Sequence, residues 1–225
     1  MSGKRIGLLV PSSNTVMEVD FYRHLPPQIT VHAARIFLEE TTPEAERRMI
    51  EDYTPAAAKA LQTLRPDLIV FGCTSASAVF GQEGDQKLRA KLADITGAPT
   101  IGVMSSVLQA LDVAGAKRVA VVTPYIDALN AKIAASLTAH GLEVVSIHGL
   151  GLTVNFEIAQ VSPEEIVAFA RRKLGGLRAD CVCVSCTNFR AMEALPALRS
   201  AFDVPVITSN QATLEAALAC LAQAG

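Results

Sequence analysis

Two cysteines hold the positions where this sequence can do chemistry. In Phe71-Gly72-Cys73-Thr74-Ser75 an apolar run, Leu68 to Phe71, empties into a Gly-Cys-Thr-Ser turn, and Val182-Cys183-Val184-Ser185-Cys186-Thr187-Asn188 repeats that arrangement. Cys73 and Cys186 lie 113 residues apart, the same spacing that separates Lys4-Arg5 from Lys117-Arg118. The chain therefore reads as two similar halves, each delivering one thiol to the end of a buried strand. A single thiol in such a place is ordinarily structural, whereas two at matched positions point to a shared cleft. Two thiols facing each other suit acid/base or nucleophilic chemistry on a small carbon acid, with no cofactor and no metal. A thiol just ahead of a helix meets its N–H groups and dipole, which predicts a lowered pKa. The Thr, Ser and Asn that follow offer donors to a carboxylate or oxyanion.

The remaining chemistry-bearing residues do not form a rival site. Cys181 and Cys183 alternate with valines as packed strand residues do, and Cys220 sits in an apolar C-terminal helix. Cys183 to Cys186 spells C-x-x-C, but no second pair or adjacent His completes a zinc site, and a redox dithiol requires its first Cys at a helix start. His24, His32, His140 and His148 are scattered, with none beside a nucleophile hydroxyl. No G-x-G-x-x-G or Walker sequence opens a helix, which argues against nucleotide binding.

The elements that position the cysteines follow from the apolar pattern. Lys4 to Val10 predicts a strand, then Pro11-Ser12-Ser13-Asn14-Thr15 a turn into a helix, with Asn14 as helix cap, ligand contact or both. A strand over Ile29 to Phe37 precedes a polar stretch, residues 38–44, which reads as a solvated connection or a lid. A long helix from Pro43 to Leu64 follows, with Met49, Tyr53, Ala57, Ala60, Leu61 and Leu64 on its core face. Arg47 and Arg48 on that helix are within reach of a carboxylate ligand or merely exposed. After Cys73 the sequence predicts an irregular stretch to Gly84, a helix over Asp85 to Thr96, a short strand entered at Pro99, and a helix from Ser105 to Ala114.

The second half repeats this order. Lys117 to Tyr125 mirrors Lys4 to Ser12, and a helix over Asp127 to His140 ends at Gly141. A strand from Val144 to His148 leads into a loop over Gly149 to Glu157. Ser162-Pro163-Glu164-Glu165 opens a helix with Ser as cap, Pro in the first turn and acids behind it. The Cys186 strand, a helix from Arg190 to Phe202, a strand over Val204 to Thr208 and a last helix to Leu221 complete the half. The expected architecture is α/β: two Rossmann-like lobes related by a pseudo-two-fold, residues 1–115 and 116–225, each a four-stranded parallel sheet flanked by helices.

Composition agrees. The chain has 225 residues, half of them apolar, no Trp, and a net charge of −2. Ala, Val, Ile and Leu in that proportion suit parallel strands under helices. The charge balance disfavours nucleic acid and anionic membrane as partners, and no apolar run is long enough to span a bilayer. Five cysteines placed within apolar segments are expected to be reduced, in a cytoplasmic protein.

The two Cys-Thr strand ends in repeated lobes resemble the aspartate/glutamate racemase superfamily over essentially the whole chain. Pro11 to Thr15, Cys73, Tyr125, Asn155 and Cys186 together look like its maleate cis-trans isomerase branch. The stretches from Gly102 to Asp127 and Gly149 to Gly151 are also similar to arylmalonate decarboxylase, which keeps only the second cysteine, so decarboxylation is disfavoured. The resemblance implies that Asn14 and the Cys73-Thr74-Ser75 turn bind one carboxylate, and that Tyr125, Asn155 and the Cys186-Thr187-Asn188 turn bind the other. It implies a cofactor-free isomerase of maleate or a similar enedioate, in which Cys73 adds to the alkene and Cys186 serves as acid/base, in a homodimer or higher homo-oligomer. Two alternatives use the same fold: a two-base racemase of aspartate, glutamate or a hydantoin, and a non-catalytic dicarboxylate binder.

Overall fold

The computed structural model describes residues 3–223; residues 1–2 and 224–225, the outer ends of the two expected lobes, lie outside that range. The first half runs β1 (Lys4–Pro11), α1 (Met17–His24), β2 (Ile29–Ile36), α2 (Pro43–Arg48), a π-helical turn (Met49–Tyr53), α3 (Thr54–Gln62), β3 (Leu68–Phe71), α4 (Thr74–Val79), α5 (Gly81–Thr96), β4 (Thr100–Gly102) and α6 (Val103–Val113). The second half runs β5 (Arg118–Thr123), α7 (Asp127–Ala139), β6 (Glu143–Gly149), α8 (Asn155–Ile158), α9 (Pro163–Leu174), β7 (Cys181–Val184), α10 (Ala191–Ala201), β8 (Val206–Thr208) and α11 (Ser209–Gln223).

The strands form two four-stranded sheets with the orders β2-β1-β3-β4 and β6-β5-β7-β8. Every pairing is parallel. The repeated order confirms the α/β class. All four residues of β3 and of β7 are buried, as central parallel strands covered by helices on both faces require. Residues of β1 alternate between faces: Ile6, Leu8 and Val10 enter the large core that continues into the second sheet, while Leu9 joins a smaller cluster with Met49, Leu61 and Phe71 on the outer face. Helix α6 packs on α11, which reaches back to β3 and β4, so the last helix of each half is shared. No helix among the described residues is long and apolar enough to cross a membrane.

Several details differ from the sequence reading, among them the loop expected over Gly149 to Glu157, in which Asn155 opens the short α8. The Pro43-to-Leu64 helix contains a π-helical turn, whose extra residue shifts the core face to Met49, Thr54, Ala58 and Leu61, leaving Tyr53 and Ala60 exposed. The stretch expected to be irregular is α4 followed by the start of α5, broken at Gly81 with φ +66°. Thr74-Ser75-Ala76-Ser77-Ala78 carries no large apolar side chain to set a period, yet every one of these residues is buried. Their small size lets the helix lie inside the molecule against α7 and α6.

Candidate active site

In parallel sheets of this order, the loops leaving the central strands diverge at the C-terminal strand ends, and ligands bind in the crevice they leave. In the first sheet that crevice lies between the loop after β1, carrying Ser12 to Thr15, and the β3 end, carrying Cys73. In the second it lies between the loop after β5, carrying Tyr125, and the β7 end, carrying Cys186. Leu68 and Cys181, the first residues of β3 and β7, are again 113 apart. Cys73 keeps extended backbone, φ −135° and ψ 118°, and α4 starts on the next residue. The close approach depends on glycine: a Cβ at Gly72 would meet the Met17 sulfur at 2.8 Å, and one at Gly149 would meet the Tyr125 carbonyl oxygen at 1.9 Å.

All nine residues singled out from the sequence are buried. Several are tied to one another across the two halves. The Asn14 side-chain oxygen accepts from the Val16 and Met17 N–H groups at 3.0 Å, which is the helix-cap reading, and its amide donates to Thr187 Oγ1 at 3.1 Å. Thr187 Oγ1 in turn donates to the Gly72 carbonyl at 3.1 Å. The Asn188 side chain accepts from the Thr15 N–H at 3.0 Å and donates to the Asn155 carbonyl at 2.6 Å, while the Asn155 amide donates to Ser13 Oγ at 2.8 Å. Thr74 Oγ1 donates to Ser209 Oγ at 3.2 Å. Tyr125 lies against the Cys186 sulfur, and burial together with the nearby Cys186, Cys73 and Glu46 pushes its hydroxyl pKa well up.

Sequence reasoning missed Asn210, whose amide donates to Asp20 Oδ2 at 2.7 Å and to the Thr187 carbonyl at 3.0 Å. It also missed Glu46, which is fully buried on α2. The signal for Glu46 was its place one turn before Met49, on the apolar stripe of the helix. Arg47 and Arg48 do not enter the site: Arg47 lies over the Phe80 ring and Arg48 pairs with Asp52.

The Cys73 Sγ–H donates to Glu46 Oε2 at 3.3 Å, and the Ser75 hydroxyl donates to Glu46 Oε1. Burial raises the Glu46 carboxyl from its ordinary 4.5 to about 7, with the bonds from Ser75 and Cys73 only partly offsetting it. The expected lowering of the thiol pKa does not occur. Burial, then the charge of Glu46, pushes Cys73 well above the usual thiol range, and burial pushes Cys186 up to about 12 despite bonds from Tyr125 and the Asn188 N–H. A six-residue helix in a dry site does not compensate for removing a thiolate from water. Ionising both Glu46 and Cys73, 3.3 Å apart, would add about 5 kcal/mol of repulsion at an effective dielectric near 20.

Glu46 makes stability pH-dependent in a definite direction. Its folded pKa exceeds its unfolded one, so the folded state holds the proton more tightly between 4.5 and about 7, and stability falls as pH rises through that window. The loss is about 3 kcal/mol. Urea unfolding at pH 4.5 and 7.5 should therefore show the wild type losing that much relative to Glu46→Gln; parallel behaviour of the two proteins would remove this assignment.

Within residues 38–44, expected as a solvated connection or a lid, Glu39 and Glu40 are exposed, but the backbone is pinned to its neighbours. Leu38 is buried, its N–H donates to Ser12 Oγ at 3.0 Å, and Glu40 forms an antiparallel bridge with Val154. The Thr41 N–H donates to the Thr153 carbonyl at 2.7 Å and the Asn155 N–H to the Glu39 carbonyl at 2.8 Å. This segment follows β2 and its partner follows β6, so the contact joins the halves at the C-terminal edge of each sheet, where the ends of β3 and β7 carry the thiols.

Among the described residues no group of three or more His, Cys, Asp or Glu is placed to hold a metal ion. A model of the arylmalonate decarboxylase family matches residues 6–224. The chain is 27% identical over 224 residues to a maleate isomerase of Geobacillus stearothermophilus, covering 93% of this chain and 88% of that one. The maleate isomerase of Pseudomonas putida S16, in a cysteine-to-alanine variant solved with maleate, superposes with a TM-score of 0.88 at 25% identity, over 97% of this chain and 92% of that one. The maleate cis-trans isomerase of Nocardia farcinica, in a cysteine-to-serine variant with a covalently bound succinylcysteine intermediate, gives 0.89 at 25% identity, over 97% and 93%.

Proposed function

The chain belongs to the arylmalonate decarboxylase family, and from that premise we propose that it is a maleate cis-trans isomerase, with Cys73 and Cys186 as its catalytic pair. The observation that carries this reading is the pair of buried thiols at matching strand ends, considered with the succinylcysteine intermediate of the Nocardia relative. Cys73, as thiolate, adds to one alkene carbon of maleate. The π pair passes to the neighbouring carbon, which takes the Cys186 proton, and the adduct is a succinyl thioether whose central bond is single and rotates. Cys186 then removes a proton from that carbon, the C–S bond pair returns to Cys73, and fumarate leaves. Burial keeps the Cys186 thiol protonated at neutral pH, so its proton is present when the carbanion develops.

The substrate is a small dicarboxylate. We assign one carboxylate to Asn14 and the Cys73-Thr74-Ser75 turn, and the other to Tyr125, Asn155 and the Cys186-Thr187-Asn188 turn. The amide nitrogens of Asn14 and Asn155 each carry two hydrogens, and one protein bond leaves the second for substrate. The lobes expected at residues 1–115 and 116–225, a homo-oligomeric state and a cytoplasmic setting belong to the same reading.

Proton NMR of the reduced protein with maleate in deuterated buffer, beside a tube with L-aspartate, tests it. The fumarate vinyl signal should grow in the first tube. Loss of the aspartate α-proton signal with maleate unchanged would instead assign the cysteines to a two-base racemase.

A further inference from the structure

The isomerase cycle needs Cys73 as a thiolate, yet the site is built against that ion: Cys73 is buried, and no lysine, arginine or histidine among the described residues counters a charge on Glu46. We propose that Glu46 is the general base for Cys73, taking the thiol proton across their hydrogen bond so that the nucleophile forms inside the closed site. The inference deepens the isomerase reading and rests on it.

The geometry supplies each part. Glu46 Oε2 is the acceptor of the Cys73 Sγ–H at 3.3 Å, and Ser75 holds the other carboxylate oxygen, fixing its orientation. Transfer converts Cys73–SH and Glu46–COO⁻ into Cys73–S⁻ and Glu46–COOH. The pair carries one negative charge before and after, so no second anion is created in a dry site. The sulfur lone pair then forms the C–S bond to the alkene, and the carbon receives its proton from Cys186. When the C–S bond breaks, its pair returns to sulfur, and Glu46 returns the proton. Across the cycle atoms and charge balance with no added reactant. Proton transfer to a positioned side chain typically contributes about 10²–10⁴-fold.

The other groups that bear on Glu46 are Cys73 from the β3 end and Tyr125 and Cys186 from the second half, all of which remain neutral at pH 7 on their own account. On its own helix, Glu44 and Arg47 are solvent-exposed and Arg48 is paired with Asp52. The base thus becomes competent as Glu46 ionises, near pH 7.

The test reads Cys73 directly. Purified full-length wild type and Glu46→Gln are treated with iodoacetamide from pH 5.5 to 9.5, and alkylation of the peptide bearing Cys73 is followed by mass spectrometry. Expected in the wild type is a rate that rises through about pH 7 and levels off; expected in Glu46→Gln is loss of that limb and a roughly 100-fold slower rate at pH 7.5. The isomerase kcat should fall in parallel, with KM little changed. Identical alkylation profiles in the two proteins, or a wild-type limb only above pH 8.5, would overturn the assignment. Because alkylation requires no substrate, the test holds even if maleate proves to be the wrong substrate; should Glu46→Gln misfold, Glu46→Asp, whose shorter side chain draws the carboxylate away from the sulfur, should show the same slowing at pH 7.5, and a wild-type profile in that variant would overturn the role.

Discussion

Cys73→Ala should abolish isomerisation, with kcat lower by about 10⁴-fold or more, while the protein stays folded and still binds a saturated dicarboxylate such as succinate. The size follows from the reaction. Rotation about a carbon–carbon double bond requires that the π bond be broken, and the site achieves this by replacing it with a C–S bond. The remaining sulfurs do not replace it: Cys181 and Cys183 are buried within β7, Cys220 lies on α11, and Cys186 is committed to moving the proton. Serine at the same position should be nearly as inactive. Its hydroxyl is a far weaker acid than a thiol, and a Glu46 carboxyl near 7 does not ionise it. Truncation leaves a small cavity but keeps the Asn14–Thr187–Gly72 bonds that join the halves, so folding should survive. Fumarate production measured alongside succinate binding checks the expectation; turnover near wild type in Cys73→Ala would sink the covalent mechanism.

Cys186→Ser should fail differently. A serine hydroxyl is too weak an acid to give up its proton, so the carbanion is protonated by solvent water, whose hydroxide leaves the site, and the adduct forms. No thiolate then stands beside the adduct to take the proton back. Turnover should drop by about 10³-fold or more, and one succinyl group should accumulate on the peptide that carries Cys73. The wild-type sulfur is set up for the return step by the Asn188 N–H at 3.3 Å and by Tyr125, both of which favour its thiolate. Intact-protein mass spectrometry after incubation with maleate, followed by peptide mapping, gives the answer. An adduct mapped to any other residue, or full turnover with no adduct, would reverse or remove the roles assigned to the two cysteines.

The sequence by itself determined the plan of the molecule. Continuous apolar runs such as Leu68 to Phe71, only four residues long and bounded by Pro66-Asp67 and Gly72, read as strands buried on both faces, which a helix-covered parallel sheet provides. The 113-residue repeat placed Cys73 and Cys186 at equivalent strand ends, and right-handed crossovers left little choice of topology. Helix caps were equally local: Ser162 and Glu165 close their capping box within four residues, and Asn14 caps α1 from the turn after β1.

Other features depended on the tertiary structure. Helix α4 had no readable period because its side chains are all small, and its conformation is set by the space between α6 and α7. The sequence places Glu46 on the apolar stripe of its helix and says no more; the packing of α2 against α4 brings it to Cys73 and removes the water that would have kept its pKa near 4.5. The same burial reversed the expected shift of the thiols, since a dipole estimated from one short helix is local while desolvation depends on everything that surrounds the sulfur. Spacing along the chain located the reacting atoms, but their acidity is a property of the closed interior, which forms only when both halves meet.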